Sequence, residues 1–200
     1  MSVAAVLLAA GTASRYRAAD PSLATKLVAR FDGVPLVRRV ASAALASRAR
    51  PIVVVTGHAD AEVRAALDGL PVSFAHNPDY GTGMASSLRV GLSALPTDAA
   101  GALVLLGDMP GTTAPLLARL IDAFEAAAAE AVVPVHGGRR GNPALLGRAL
   151  FGSAMALSGD EGARRLLERA RVVEVALDDD AVLVDVDDPA TLRAMAERRA

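Results

Sequence analysis

Along the chain, short apolar runs bounded by turn residues alternate with alanine-rich stretches of helical period, the pattern of repeated strand-helix-strand units around a mainly parallel sheet. The runs Val3 to Ala9, Pro51 to Thr56, Val72 to Ala75, Ala102 to Leu106 and Ala131 to Val135 read as strands. The first, second and fourth are apolar nearly throughout, as expected of central strands with helices on both faces. Leu36 to Ser47, Ala61 to Leu67, Ala85 to Leu95 and Ala114 to Ala128 carry the helical period, with Asp60 and Thr113 as candidate N-caps. The predicted architecture is α/β: a three-layer α/β/α sandwich with a doubly wound, Rossmann-like sheet. Beyond Val135 the alternation loosens into a glycine-rich turn, an apolar piece at Ala144 to Leu146, a helix around Glu161 to Ala170, and strands at Val172 to Ala176 and Val182 to Val186.

A length of 200 residues suits one sizeable core. The expectation is a single domain over residues 1–200, with a first lobe to about residue 110 and a second beyond it. A hydrophobic fraction of 52% excludes extensive disorder. A net charge of -1 offers no basic field for a nucleic-acid partner, although the pairs Arg38-Arg39 and Arg139-Arg140 stand out. The absence of cysteine removes thiol chemistry, Cys-ligated zinc and disulfides, and fits a cytoplasmic location. Val3 to Ala10 lacks the basic flank of a secretory segment. No apolar run approaches the ~20 residues of a membrane span, so no membrane partner is expected.

Ligands of open α/β sheets collect beyond the carboxyl ends of strands, so the segment after each strand is where chemistry is expected. After the first strand comes Leu8-Ala9-Ala10-Gly11-Thr12-Ala13-Ser14-Arg15, whose small residues let backbone amides approach a phosphate. It is neither a Walker A loop nor GxGxxG, and an ordinary strand-to-helix turn explains it as well. Of 21 basic residues Lys26 is the only lysine, a compact ammonium in a chain that otherwise uses guanidinium groups. Leu106-Gly107-Asp108-Met109-Pro110 places a carboxylate just past a central strand, suited to Mg²⁺ or to a simple turn. In Val184-Asp185-Val186-Asp187-Asp188-Pro189, strand alternation sends Asp185 and Asp187 to one face, where they complete a magnesium site with Asp108 or form a solvated acidic strand end. Asp188 reads as the cap of a helix beginning at Pro189.

His76-Asn77-Pro78-Asp79-Tyr80-Gly81-Thr82-Gly83 is a turn-rich loop suited to framing a base or ribose, or to plain connection. Gly137 to Pro143 carries arginines that suit an anionic acceptor or the solvent, and Gly159-Asp160-Glu161-Gly162-Ala163-Arg164 reads as a helix start. His58, His76 and His136 lack the spacing of a helical zinc pair, and no GxSxG elbow occurs, so zinc and serine hydrolases drop out.

In order, LAAG with Ser14-Arg15 and Lys26, VTG at Val55 to Gly57, HNPDY with Gly81 and Gly83, GDMP at Gly107 to Pro110, Gly141-Asn142-Pro143, the GDEGAR run and DVDDP at Asp185 to Pro189 resemble the nucleotidyltransferases that mature the molybdenum cofactor. The likeness is greatest to the cytidylyltransferase branch. The resemblance implies a nucleotide-diphospho-sugar transferase type of fold and transfer of CMP from CTP to the terminal phosphate of molybdenum cofactor, serving a molybdenum hydroxylase client. It implies that Leu8, Ala9, Ala10, Gly11, Arg15 and Lys26 hold the triphosphate. Asp108 and an acid of the DVD run, Asp187 ahead of Asp185, would bind Mg²⁺. Asn77, Gly81 and Ser86 would line the nucleotide pocket, and Gly141, Asn142, Pro143, Gly159, Asp160 and Gly162 would face the acceptor. Ala10 before Gly11 looks like the cytidylyl form of the loop. One departure stands out: Tyr16 to Thr25 separate Arg15 from Lys26 where the family has only a few residues, a length suited to a lid or to a different triphosphate. Two other readings remain, transfer from GTP or another triphosphate to a sugar phosphate, and a silent carrier of the cofactor for an apo-oxidoreductase.

Overall fold

The computed structural model describes residues 2–197. Strand β1 (Val3–Ala9) leads through α1 (Ser14–Ala19) and a 3-10 turn at Lys26–Val28 to a hairpin of β2 (Arg30–Phe31) and β3 (Val34–Pro35). Next come α2 (Leu36–Ala46), β4 (Ile52–Thr56), α3 (Asp60–Ala66), β5 (Ser73–His76), α4 (Met84–Ser93), β6 (Gly101–Leu106) and α5 (Ala114–Ala127). The remainder is β7 (Ala131–His136), β8 (Arg139–Arg140), β9 (Ala144–Gly147), α6 (Phe151–Ala154), α7 (Ala163–Leu167), β10 (Val172–Ala176) and α8 (Pro189–Glu197).

The sheet runs β10-β7-β9-β6-β1-β4-β5, with β8 paired to β7. Strand β1 is parallel to both β4 and β6, and β4 to β5, whereas β9 lies antiparallel between β6 and β7. The alternation of side chains splits the core into two layers. Ala5, Leu7, Val54, Leu103 and Leu105 pack under α2 and α5, while Ala4, Val6, Val53, Val55 and Val104 pack under α4 and α6. This is the expected α/β/α sandwich on a mostly parallel sheet, and it brings the carboxyl ends of β1, β4 and β6 to one edge. Among the described residues no helix is long and apolar enough to cross a membrane.

The second half departs from expectation in two places. Val182 to Val186 is not a strand: Asp180–Leu183 forms a 3-10 turn and residues 184–188 have no regular structure. The Asp179 carboxylate accepts from the Ala181 amide at 2.8 Å and starts the turn, and the backbone then bonds to loops instead of a neighbouring strand. The Val182 carbonyl accepts from Asn142 N–H at 2.9 Å, and Val186 N–H donates to the Asp108 carbonyl at 2.9 Å. The helix expected over Glu161 to Ala170 shrinks to α7, entered through Gly162 with no side-chain cap.

Thr113 caps α5 by accepting from Leu116 N–H, but Asp60 is the first residue of α3 rather than its cap, and its carboxylate bonds to Thr56 and Arg64. Asp188 caps α8 by accepting from Thr191 N–H at 2.7 Å. Of the long segment after Arg15, residues 16–19 belong to α1 and residues 20–25 form turns, with Tyr16 buried in a small apolar cluster with Ala29, Phe31, Leu36 and Val186, against which Leu192 and Met195 of α8 pack.

Candidate active site

A cleft of about 410 Å³ opens at the carboxyl ends of β1 and β6. One wall is the end of β1 and the loop after it: Leu8, Ala9, Ala10 and Gly11 line it, together with Thr12, Ala13 and, from α1, Arg15. Ala13 has φ +51°, an uncommon left-handed conformation for a residue with a Cβ, which turns the chain into α1. The Gly107 amide donates to the Leu8 carbonyl at 3.1 Å, so that the start of the loop after β6 is tied to the end of β1.

The other wall is charged. Lys26 Nζ lies 2.7 Å from Asp108 Oδ2 and 2.9 Å from Asp187 Oδ1, and Arg15 Nη1 lies 2.7 Å from Asp187 Oδ2. Burial works to lower the Lys26 pKa, but the Asp108 charge and the hydrogen bonds to Asp108 and Asp187 outweigh it, so the ammonium is held above its ordinary value. Asp185 joins the group: one carboxylate oxygen from each of Asp108, Asp185 and Asp187 lies within 4.8 Å of the others. Burial, then the charges of Asp187 and Asp108, push the Asp185 carboxyl up. A cluster of hard oxygen donors that repel one another fits a divalent cation of the Mg²⁺ or Mn²⁺ kind. The expected convergence of Asp185 and Asp187 on Asp108 is therefore present, although it comes from an irregular segment pinned by the Val186 to Asp108 backbone bond rather than from strand alternation.

Gly81 lines the cleft with Tyr80, Gly83, Met84 and Ser87. Asn77 and Ser86 lie beneath it. Both are buried, with Asn77 Nδ2 donating to Ser86 Oγ at 2.8 Å and Ser87 Oγ at 3.0 Å, while Asn77 Oδ1 accepts from Asp79 N–H at 3.0 Å. These two side chains fix the loop and the start of α4 instead of facing the opening. A second cleft, of about 740 Å³, is lined by Gly141, Asn142, Asp160 and Gly162 together with Arg139, Arg140 and Arg164. It meets the first at Met84, Leu106 and Asp160, which line both. Pro143 and Gly159 line neither. Gly159 is a packing contact: its carbonyl accepts from Ala85 N–H at 3.0 Å, and a Cβ on Gly83, at φ +110°, would overlap it. Tyr80, the last residue of the HNPDY motif, and Met84 and Ser87 just beyond it carry no local signal that marks them individually as lining residues.

Set beside this geometry, the likeness to known proteins is specific. The family described as the MobA-like NTP transferase domain matches residues 5–175. The bifunctional protein GlmU of Aromatoleum aromaticum is 43% identical over 118 residues, 58% of this chain and 24% of that protein. The GlmU of Burkholderia multivorans is 40% identical over 121 residues, 59% of this chain and 25% of that protein. The chain thus spans about a quarter of the length of these curated relatives. Among solved structures, Rv0371c from Mycobacterium tuberculosis superposes with a TM-score of 0.85 at 28% identity, covering 98% of each chain. Its complex with manganese gives 0.83 at 27%, covering 98% of this chain and 99% of that one. A nucleotidyl transferase from Methanothermobacter gives 0.84 at 25%, covering 98% and 97%.

Proposed function

This chain belongs to the MobA-like NTP transferase domain family, and from that premise we propose that it joins CMP from CTP to the terminal phosphate of molybdenum cofactor, releasing pyrophosphate. The observation that carries the reading is the Lys26 ammonium set between Asp108 and Asp187 across a cleft from the small-residue loop after β1. In this reading residues 1–110 receive the triphosphate and the later residues receive the acceptor within one domain, except that Asp185 and Asp187 reach back into the first cleft. CTP is favoured by Ala10 before Gly11, on the family resemblance.

An oxygen of the acceptor phosphate attacks the α-phosphorus, a new P–O–P bond forms, and the bond to the β-phosphate breaks with its electron pair leaving on pyrophosphate. The attacking phosphate is already ionised, so no side chain has to take a proton, and catalysis reduces to positioning and charge neutralisation. Backbone amides of the Ala10 to Ala13 arch face the triphosphate. Arg15 and Lys26 exchange their carboxylate partners for oxygens of the leaving pyrophosphate. A divalent cation held by Asp108 and Asp187, with Asp185 as a third donor, supplies further neutralisation of phosphate charge when bound, a role compatible with the manganese complex of the mycobacterial neighbour. The acceptor lies in the second cleft against Gly141, Asn142 and Gly162, and the shared boundary at Asp160 and Leu106 brings its phosphate to the first.

The test is pyrophosphate release by the purified protein with Mg²⁺ and each of the four ribonucleoside triphosphates, with and without molybdenum cofactor or a sugar phosphate. Release from CTP only when the cofactor is present is expected. Release with a sugar phosphate, or no release with any pair, overturns the assignment. Asp108→Asn is expected to lower turnover by about a hundredfold or more while remaining folded.

A further inference from the structure

The arch from Ala10 to α1 has little of its own to hold its shape. Ala13 is in a disfavoured left-handed conformation, and α1 has six residues and no side-chain cap, well below the length at which a helix persists alone in water. Yet three consecutive side chains of α1 reach three separate anchors. Arg15 meets Asp187, Tyr16 enters the apolar cluster around Phe31 and Val186, and Arg17 Nη1 lies 2.9 Å from His58 Nε2.

His58 comes just after β4 and stands outside the lining of the first cleft. A guanidinium can only donate, so Nε2 accepts from Arg17 and the ring proton resides on Nδ1. The backbone N–H of the same residue donates to the Ala10 carbonyl at 3.2 Å. Its neighbour Gly57 fixes that backbone: a Cβ there would come 2.7 Å from Tyr80 Cβ and 2.9 Å from Ala10 Cβ. One residue therefore ties down both ends of the arch, Ala10 through its main chain and Arg17 through its ring. The ring also lies beside Tyr80, with centroids 5.9 Å apart, and Tyr80 lines the cleft.

We propose that His58 is a positioning residue for the triphosphate grip, bracing residues 10–17 from behind so that the loop amides and Arg15 are already placed when the ligand arrives. The proposal rests on the reading of the first cleft as the triphosphate site. The Arg15 side chain is 80% exposed and its ion pair with Asp187 is weak by itself, so its placement depends on α1 being held. Without the brace, binding must order the arch, and the loss falls on affinity rather than on the chemical step.

Binding of CTP with Mg²⁺, without acceptor, is measured by calorimetry for the wild-type protein, His58→Leu, His58→Gln, Arg17→Met and the double variant His58→Leu/Arg17→Met. His58→Leu and Arg17→Met are each expected to weaken binding about five- to tenfold, the loss of one solvent-exposed hydrogen bond. The double variant is expected to match the singles within about twofold, because both remove the same contact. His58→Gln, whose amide oxygen accepts from Arg17, is expected to bind within about twofold of wild type. In turnover the KM for CTP rises by the same factor while kcat stays within about twofold. Unchanged affinity in Arg17→Met, additive losses in the double variant, or a Gln variant no better than Leu overturns the proposal. Arg17 is exposed, so that variant decides even where His58→Leu fails to fold. Wild-type protein that binds no triphosphate overturns the triphosphate reading itself, whereas tight wild-type binding with no loss in the variants overturns the brace alone.

Discussion

Replacing Lys26 by methionine keeps the aliphatic stem and removes the charge, and the structure gives the size of the consequence. The ammonium separates Asp108 from Asp187, whose nearest oxygens belong to a group within 4.8 Å. Two unit charges at that spacing repel by about 3.5 kcal/mol at an effective dielectric constant of about 20. Arg15 offsets part of this at Asp187, so a net destabilisation of about 2 kcal/mol is expected, or roughly 5 °C in Tm for a chain of this length. Millimolar Mg²⁺ or Mn²⁺ then reverses the loss, because the cation occupies carboxylates that the ammonium no longer holds. Thermal melts of both proteins, with and without the metal and in the absence of nucleotide, check the argument. A larger metal-induced rise in Lys26→Met than in wild type is expected. Equal shifts, or an unchanged Tm without metal, would show that Lys26 and a cation do not share these ligands.

Two further outcomes come from the same geometry. Asp185 is pushed above its ordinary value of 3.8, so the native state binds its proton more tightly than the unfolded chain does, and stability falls as pH rises from that value through the raised one. Asp185→Asn should therefore raise the Tm of the metal-free protein at neutral pH and give no gain below about pH 3.5, the lower edge of the ordinary carboxylate range; a gain that is independent of pH refutes the charge argument. Gly83→Ala places a Cβ on the Gly159 carbonyl at φ +110° and should destabilise the fold by about 2–4 kcal/mol in urea unfolding. A loss below about 1 kcal/mol would mean that the α4 start and the Gly159 turn separate easily.

The legible parts of the sequence were those whose burial is uniform. Strands β1, β4 and β6 are covered on both faces, so their composition alone marked them as central, and α2 and α5 show the one-sided period of helices lying on a sheet. Val182 to Val186 has the alternation of a strand, but nothing in that pattern states which groups pair with its backbone, and here they are the Asn142 N–H, which donates to the Val182 carbonyl, and the Asp108 carbonyl, which accepts from Val186 N–H. The β2–β3 hairpin carries a recognisable turn in Asp32-Gly33, both at positive φ, yet two-residue strands are too short to show a period. In the site, small residues after β1, a strand-end acid and a lone lysine could be picked out because each is unusual locally. Tyr16 could not, since its partners Phe31, Leu36 and Val186 are scattered along the chain. Nor could His58, whose significance is the 2.9 Å reach of Arg17 from another element.

The bond from Val186 N–H to the Asp108 carbonyl also orders events in time. During synthesis β1, β4 and β6 can meet with Asp108 in place once residue 108 is available, and Lys26 then has Asp108 as a partner. Asp187 arrives only after some eighty further residues, carried in by the segment that must dock on Asp108 and bury Val186 beside Tyr16. The charged wall of the cleft is thus complete only once residues 185–187 have docked, and in the proposed reading the grip on a triphosphate is incomplete before then.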